Sequence, residues 1–412
     1  MENTIINILN HLPAYNTYHK KSKPEISWET KDNNWVGLLE PEWPDLLGNE
    51  ILRLTDKFEY EVWQPDNRAD KIYSHTFPNG LVHKLIPTEK KKSIYGLKKI
   101  TEISPDNIIE EIKRLNNRKI LLNFNGGLDH FNLKIVKALK TIPKIHIYHG
   151  TIRIPLKNTS ILKKNILSLF NDYRDYQSLK NNINDLDYIT YQTDINVDTI
   201  KKIYNGPLLK LTMGCDFNNW KKLEKKEARK DLGLPQDKKV LLWSSRLNRQ
   251  KQIDKFIEVL NTIDNNLSYL FVITGHGKNK FEKILQQKSR KLIEDGKIIF
   301  SGYQRGDVLK KYYSAADLFI HASDKEGGPV SVMKALASEI PVFQTKVGST
   351  CEILEKENAG ILVDKYDYKA WRSELIEFLK GGEVQVLDRD KAKKLYHWPN
   401  IARKFIKIYN SC

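Results

Sequence analysis

Val240-Leu241-Leu242-Trp243-Ser244-Ser245-Arg246-Leu247-Asn248-Arg249-Gln250-Lys251 is the stretch on which the fold turns. Four apolar residues run together, a polar loop with several cations follows, and apolar residues then recur at helical spacing from Ile253 to Leu260. A short apolar run bounded by polar residues reads as a strand buried on both faces, and the longer periodic segment reads as a helix. The same unit repeats downstream. Tyr269 to Ile273 is a strand and Phe281 to Ile293 a helix; Ile298 to Phe300 is a strand and Val308 to Ala315 a helix. Leu318 to Ile320 leads to a helix at Val330 to Ala337, and Pro341 to Phe343 and Ile361 to Val363 are the last strands. Such alternation predicts an α/β fold whose parallel sheet is covered by helices on both faces.

Upstream the pattern is looser. Lys119 to Phe124, Ile145 to Tyr148 and Tyr188 to Tyr191 read as strands, with helices at Phe131 to Leu139 and Val197 to Tyr204. Leu208 to Met213 is strand-like. Between them lies a basic amphipathic segment with Leu162, Ile166, Leu169, Phe170 and Tyr173 on one face. It reads as a helix packing on the sheet, or as a face resting on an anionic membrane. The first hundred residues hold Trp28, Trp35, Trp43, Trp63 and several prolines, and read as an irregular, loop-rich start to the first domain. Lys90-Lys91-Lys92 reads as a solvated loop. Two Rossmann-like domains are therefore expected, over 1–207 and 208–394, with 395–412 left as a terminal helix.

Composition sets the outer limits. At about 150 residues per domain, 412 residues make two or three domains. With 40% hydrophobic and 29% charged residues, a collagen, a disulfide scaffold and a wholly disordered chain are excluded. No stretch approaches the ~18 apolar residues of a membrane span. Met1-Glu2-Asn3-Thr4 lacks a basic leader and the apolar run Ile5 to Leu9 is short, so no signal peptide is expected. Cys215, Cys351 and Cys412 are far apart and odd in number, which fits free thiols in a reducing cytosol. A net charge of +17 attracts polyanions: nucleic acid, an anionic membrane or phosphorylated small molecules. The wealth of Lys, Asn and Ile also fits an AT-rich coding bias.

Open α/β sheets bind ligands at the carboxyl ends of their strands. Arg246 and Lys251 sit on such a loop before a helix, where two cations can clamp a diphosphate. Ala322-Ser323-Asp324-Lys325-Glu326-Gly327-Gly328-Pro329-Val330-Ser331 is a second such loop. Gly327 and Gly328 permit close backbone approach, Pro329 suits a helix start, and the free amides beyond it can hold a phosphate or a sugar hydroxyl. Glu326 places a carboxylate at the mouth of the same crevice. Gly275-His276-Gly277 lacks a third glycine at dinucleotide spacing and reads as a tight turn. Tyr148-His149-Gly150-Thr151 ends a strand of the first half.

Taken in order, these features carry a resemblance. The run is Gly214-Cys215-Asp216, Arg246 with Lys251, Gly275-His276-Gly277, Phe300-Ser301-Gly302, Ala315-Ala316-Asp317 and Glu326-Gly327-Gly328-Pro329. Pro341-Val342, Gly348 and Glu352-Ile353-Leu354 complete it. The second half resembles the nucleotide-sugar domain of family-4, retaining GT-B glycosyltransferases. The match is good over about residues 186 to 412, weak over 119 to 155, and general in shape before that. It implies two Rossmann-like domains facing a cleft. It also implies that Trp398 to Tyr409 is the last helix, returning to the first domain.

The resemblance also implies roles. Arg246 and Lys251 bind the donor diphosphate and Glu326 touches the transferred sugar. Gly327, Gly328, Pro329 and Val330 lie against sugar and phosphate. Gly275 and the backbone around Tyr303 help to seat the donor, Tyr303 flanking the base, and His149 lies near the donor sugar. No cofactor and no metal is implied; D-x-D pairs at Asp185-Leu186-Asp187 and Asp388-Arg389-Asp390 follow no convincing strand. The chain departs from the family pattern at Lys334, eight positions after Glu326, where a second Glu binds the ribose. An ammonium cannot accept the two hydroxyl bonds that a carboxylate accepts. Three readings stand: Lys334 meets phosphate, a neighbour holds the ribose, or donor binding is lost. His11-Leu12-Pro13-Ala14 stands where the family has a Gly-Gly loop, and Gly126-Gly127 follows a later strand.

The expected function is retaining transfer of a sugar from a nucleoside diphosphate to an acceptor hydroxyl, in bacterial surface polysaccharide synthesis. The expected acceptor is a glycan or a lipid-linked one. The expected place is the cytoplasm, with peripheral contact at the inner face of the cell membrane. Two alternatives accompany it: a phage-type glycosyltransferase acting on modified bases in DNA, and a catalytically silent sugar- or partner-binding protein.

Overall fold

A computed structural model describes residues 3–9, 43–67, 69–95, 98–115, 117–126, 130–148, 173, 176–194, 197–277 and 279–412. It divides into two compact units, Met1–Leu211 with Ile401–Cys412, and Thr212–Asn400.

The strands of the first unit are β1 (Asn3–Ile8), β2 (Phe58–Asp66), β3 (Tyr73–Thr76), β4 (Val82–Pro87), β5 (Lys90–Tyr95) and β6 (Lys98–Ile103), then β7 (Lys119–Gly126), β8 (Lys144–Tyr148), β9 (Tyr188–Tyr191) and β10 (Leu208–Lys210). β5 and β6 form an antiparallel ribbon of their own. The others form one sheet in the order β10-β9-β8-β7-β1-β2-β4-β3, parallel except at β3–β4. β1 thus lies inside the sheet, between β2 and β7. Ile6 and Ile8 pack on one face with Trp63, Leu122, Phe124 and Ile135. That face is covered by helices Asp106–Arg114 and His130–Ala138, whose apolar residues recur at three- and four-residue spacing.

The other face of β1 and β7 sets the buried Asn7 and Asn123 beside Ile5 and Leu121. Asn123 donates to the Asn7 side-chain oxygen at 2.8 Å and to the Tyr409 hydroxyl at 2.9 Å. Tyr409 ends the last helix, Trp398–Tyr409, and its ring also meets Phe58 edge-on at 5.9 Å. The end of the last helix is therefore fastened to the first sheet, by a buried hydrogen bond and an aromatic contact.

Two expectations change here. The described residues between 3 and 103 are rich in strands, supplying the inner strand β1, the buried strand β2 and β3 to β6, while Trp28 and Trp35 lie outside the described residues. Ile5 to Leu9 is simply too short for periodicity to separate a strand from an apolar loop. The unit limits also differ by a few residues from 207/208 and 394/395. β10 pairs with β9, which keeps residues 208–211 in the first unit. Residues 395–400 stay with the second unit, where Cys215 donates its amide to the Tyr396 carbonyl at 2.7 Å and the Trp398 ring covers Gly214. The segment 162–173 lies outside the described residues except for Tyr173, which is exposed. Among the described residues no helix is long and apolar enough to cross a membrane.

The second unit holds β11 (Lys239–Ser244), β12 (Tyr269–Thr274), β13 (Ile298–Gly302), β14 (Leu318–His321), β15 (Val342–Thr345) and β16 (Ile361–Val363). All are parallel, in the order β13-β12-β11-β14-β15-β16. Val240 and Leu242 point into one core, Leu241 and Trp243 into the other, so the central strand is buried on both faces. Helices Ile253–Leu260 and Val330–Ala337 have the limits read from sequence. The segment read as one helix over Phe281 to Ile293 breaks at the buried Ser289, giving Asn279–Lys288 and Arg290–Glu294. The strand order reverses between β11 and β14. Their carboxyl ends diverge there and leave a crevice.

Candidate functional site

Two loops flank that crevice. The first leaves β11 at Ser244 and passes Arg246, which is exposed. Leu247 donates its amide to the His276 carbonyl at 2.9 Å, tying the loop to the one after β12. Asn248 caps a short turn at Arg249–Lys251, its side chain accepting from the Lys251 amide at 3.1 Å. Gln252 then takes a left-handed conformation, φ 55°, before the helix at Ile253. Cap and turn together aim the Lys251 side chain back over the crevice.

The second loop follows β14 and is fastened to the first. Asp324 donates its amide to the Gln250 carbonyl at 2.8 Å, and the Gln250 side chain donates to the Lys325 carbonyl at 2.9 Å. The loop after β15 holds it from the other side: Ser349 donates to the Gly327 carbonyl at 2.7 Å, and Thr345 donates to the Ser323 carbonyl at 2.6 Å. Gly348 has φ 81°, and a Cβ there would stand 2.9 Å from Glu326 Cβ and 3.1 Å from Pro329 Cδ. Glycine at 348 is thus what lets this support close on Glu326. Helix Val330–Ala337 begins directly after Pro329, whose carbonyl takes the amides of Val332 and Met333, so the amides of Val330 and Ser331 are the ones without intrahelical partners.

The result is a charged cluster at the switch point. Lys251 Nζ pairs with Glu326 Oε1, each side chain 11% exposed. His321, at the end of β14, places Nε2 3.5 Å from the same oxygen and is 2% exposed. Burial is the main force on His321 and, with the Lys251 charge, lowers it to about 4 against the pull of Glu326, so the ring is neutral at pH 7. Burial pushes the Glu326 carboxyl up, but His321 and Lys251 outweigh it and hold it below its ordinary value. The site therefore offers an ionised carboxylate and a paired ammonium beside a helix amino end, with an exposed guanidinium on the same loop as the ammonium. Cations and free amides suit a diphosphate, and the carboxylate suits hydroxyl groups.

The remaining expected residues fall differently. Gly275 has φ 143° and donates to the Gly302 carbonyl at 2.7 Å, and a Cβ there would strike the Ser245 carbonyl. It and Gly277, which sits on Leu247, let the loops after β11 and β12 close together. Tyr303 is 44% exposed and meets His276 edge-on at 5.1 Å. Lys334, on the fourth-to-last turn position of Val330–Ala337, is half-buried and lies over the Trp220 ring, 4.5 Å from its centroid. His149 lies outside the described residues.

Three motif residues prove to be structural. Asp317 accepts from Lys225, Arg229 and the Val240 amide, fastening helix Lys225–Asp231 to the sheet. Asp187 accepts from the Lys144 amide at 2.7 Å, and Asp388 caps helix Arg389–Tyr396. Among the described residues no group of three or more His, Cys, Asp or Glu side chains is placed to hold a metal ion. His321 is the site residue that sequence reasoning missed. Its one signal was a polar residue closing an apolar strand just before the glycine loop.

Residues 224–395 match the family model described as glycosyl transferases group 1. The matched residues lie within the second unit. An uncharacterized glycosyltransferase of Methanocaldococcus jannaschii is 30% identical over 217 residues, 52% of this chain and 54% of the relative. The putative teichuronic acid biosynthesis glycosyltransferase TuaC of Bacillus subtilis is 29% identical over 186 residues, 42% of this chain and 45% of the relative. The chain thus spans about half the length of the curated relatives it matches. Among solved structures, Anabaena HepE in complex with UDP is similar with TM-score 0.66 at 12% identity, covering 100% of both chains. A likeness of that kind carries the fold: two Rossmann-like α/β units, the GT-B architecture. The residues matched by the family model contain the crevice between β11 and β14.

Proposed function

We propose that this chain is a retaining glycosyltransferase, moving a sugar from a nucleoside diphosphate to an acceptor hydroxyl in the synthesis of a surface polysaccharide. The observation that carries the reading is the meeting of Lys251 and Glu326 at the strand-order reversal between β11 and β14, on a loop that also carries the exposed Arg246 and just ahead of the amino end of Val330–Ala337. Arg246 and Lys251 grip the diphosphate. The helix end and these cations stabilise the charge that grows on the leaving diphosphate as the glycosidic bond breaks. Glu326 accepts hydrogen bonds from the sugar and fixes its orientation. Gly327 and Gly328 let the sugar lie against backbone. This scheme calls on no metal ion.

The polysaccharide part of the reading is supported by the relative named for teichuronic acid biosynthesis. HepE with UDP in its structure makes UDP-sugars the first donors to try. The acceptor in this reading is a glycan or lipid-linked glycan, met at the inner face of the cell membrane by a cytoplasmic enzyme.

The test is incubation of the protein with UDP-, GDP-, CDP- and dTDP-sugars, following donor cleavage by mass spectrometry beside Arg246→Ala. Release of one nucleotide, lost in the variant, supports the reading and names the donor. The anomeric configuration of the product, read by NMR, decides retention. Neither cleavage nor nucleotide binding would leave the silent-binder reading.

A further inference from the structure

The three side chains at the switch point do not fit together evenly. Glu326 Oε1 is engaged by Lys251. His321 Nε2 points at the same oxygen from 3.5 Å, beyond hydrogen-bond length, and is buried with no hydrogen-bond partner. A buried ring nitrogen left unbonded is costly, because it has given up water and gained nothing. The two claimants approach Glu326 from different elements, Lys251 from the loop after β11 and His321 from the end of β14. Only Lys251 stands on the loop that also carries the exposed Arg246, where an anion is attracted.

We propose that His321 is a positioning residue that takes over Glu326 when an anionic ligand draws Lys251 away. The inference rests on the donor reading of this crevice. A diphosphate competes for the Lys251 ammonium and wins it with the help of Arg246 and the helix amides. Glu326 then loses its cation. Neutral His321, carrying its proton on Nε2, closes the short gap and donates to Oε1. No proton is transferred, and the carboxylate remains an acceptor for sugar hydroxyls. Binding the diphosphate thereby delivers Glu326 from the ion pair to the sugar, held by a buried ring that cannot swing away. The low titration of His321 agrees with a neutral donor in this role.

The test has an arm without ligand and an arm with donor. Lys251→Ala mimics withdrawal of the ammonium. In that variant the Nε2 proton of His321, followed by NMR and assigned by its loss in His321→Gln, is expected to move downfield and exchange more slowly with water. It should revert in the double variant Lys251→Ala/Glu326→Gln. An unchanged Nε2 signal in Lys251→Ala overturns the proposal whether or not the protein uses a nucleotide sugar. With the cognate donor, His321→Phe is expected to lower kcat about tenfold or more while KM for the donor stays within about twofold, since orientation is lost and binding is not. His321→Gln, which keeps a donor group, should recover most of kcat. Equal loss in the Gln and Phe variants, or a change confined to KM, overturns it. A wild-type protein that neither cleaves a donor nor binds a nucleotide defeats the functional reading, while the ligand-free arm still judges His321.

Discussion

The Lys334 ammonium sits 4.5 Å above the ring of Trp220, so its charge is held by an indole face. Trp220 is itself packed edge-on against the buried Tyr313, at 5.1 Å, and belongs to the core of the second unit. The ring presents its electron-rich face to the charge. Lys334 is thus part of the packing on this side of helix Val330–Ala337, and a carboxylate at the same position would meet a repulsive face.

Lys334→Met is therefore expected to lower the stability of the second unit by about 1 kcal/mol, the scale of a half-buried cation–π contact. Lys334→Glu should cost more, and its donor turnover should fall instead of rising. Urea denaturation followed by Trp fluorescence checks the first, and donor cleavage the second. Higher turnover in Lys334→Glu would mean that the lysine is a lesion in a glutamate site.

Arg246→Ala should leave stability within about 0.5 kcal/mol of the parent, because the side chain is exposed. Nucleoside diphosphate affinity should fall about 10- to 100-fold, corresponding to roughly 1.5–3 kcal/mol for charge-assisted bonds. Calorimetric titration of both proteins with UDP, GDP, CDP and dTDP checks it.

Stability should decline as pH falls from about 6.5 to about 4. His321 is lowered in the fold from 6.5 to about 4. The unfolded chain therefore binds a proton in that interval that the native state refuses. A depressed histidine contributes stability that is present above the unfolded value and lost as pH falls through the folded one. The loss from this one group is about 3 kcal/mol across the interval. Below it, Glu326, also held below its ordinary 4.5, adds a second acid loss as it is protonated. In His321→Phe the first decline should flatten and the second remain. Denaturant midpoints measured from pH 7 down to pH 4 check both.

Arg229→Met should cost the second unit about 3–5 kcal/mol, the usual scale for breaking one side of a buried pair. Arg229 is 4% exposed and donates to Asp317 and to the carbonyls of Ala315, Pro235, Gln236 and Lys238. Nucleotide affinity of the folded protein should not change, since none of these groups lines the crevice. Unfolding midpoints and binding, measured on the same sample, separate the two effects.

Much of the second unit was legible. Ile253–Leu260 and Val330–Ala337 show three- and four-residue apolar spacing, and each follows a polar loop, so their limits agree with the structure. β1 was not legible: Asn7 interrupts a five-residue apolar run, and its amide proves to be buried against Asn123. Nor was the break at Ser289, a residue whose burial depends on what packs around it. In the site, Arg246, Lys251 and Glu326 announced themselves as charges on loops that end apolar strands. His321 was hidden as the last residue of a strand. Asp317, quoted only as part of the ordered run, is a fastening for Arg229.

Local periodicity determines which segments become strands and helices, because burial of one face or two is written in the spacing of apolar residues. It therefore determined the α/β class of this protein and the loops on which a ligand site had to lie. Strand order is a different quantity. It depends on which strands pair across long stretches of chain, and nothing in the spacing of Val240 to Trp243 states that their neighbour is Leu318 to His321. The order β13-β12-β11-β14-β15-β16 opens the crevice at the reversal and brings Lys251 against Glu326, separated by 75 residues in sequence. Only that tertiary pairing placed a buried, unbonded imidazole behind the carboxylate and turned two charged loops into one site.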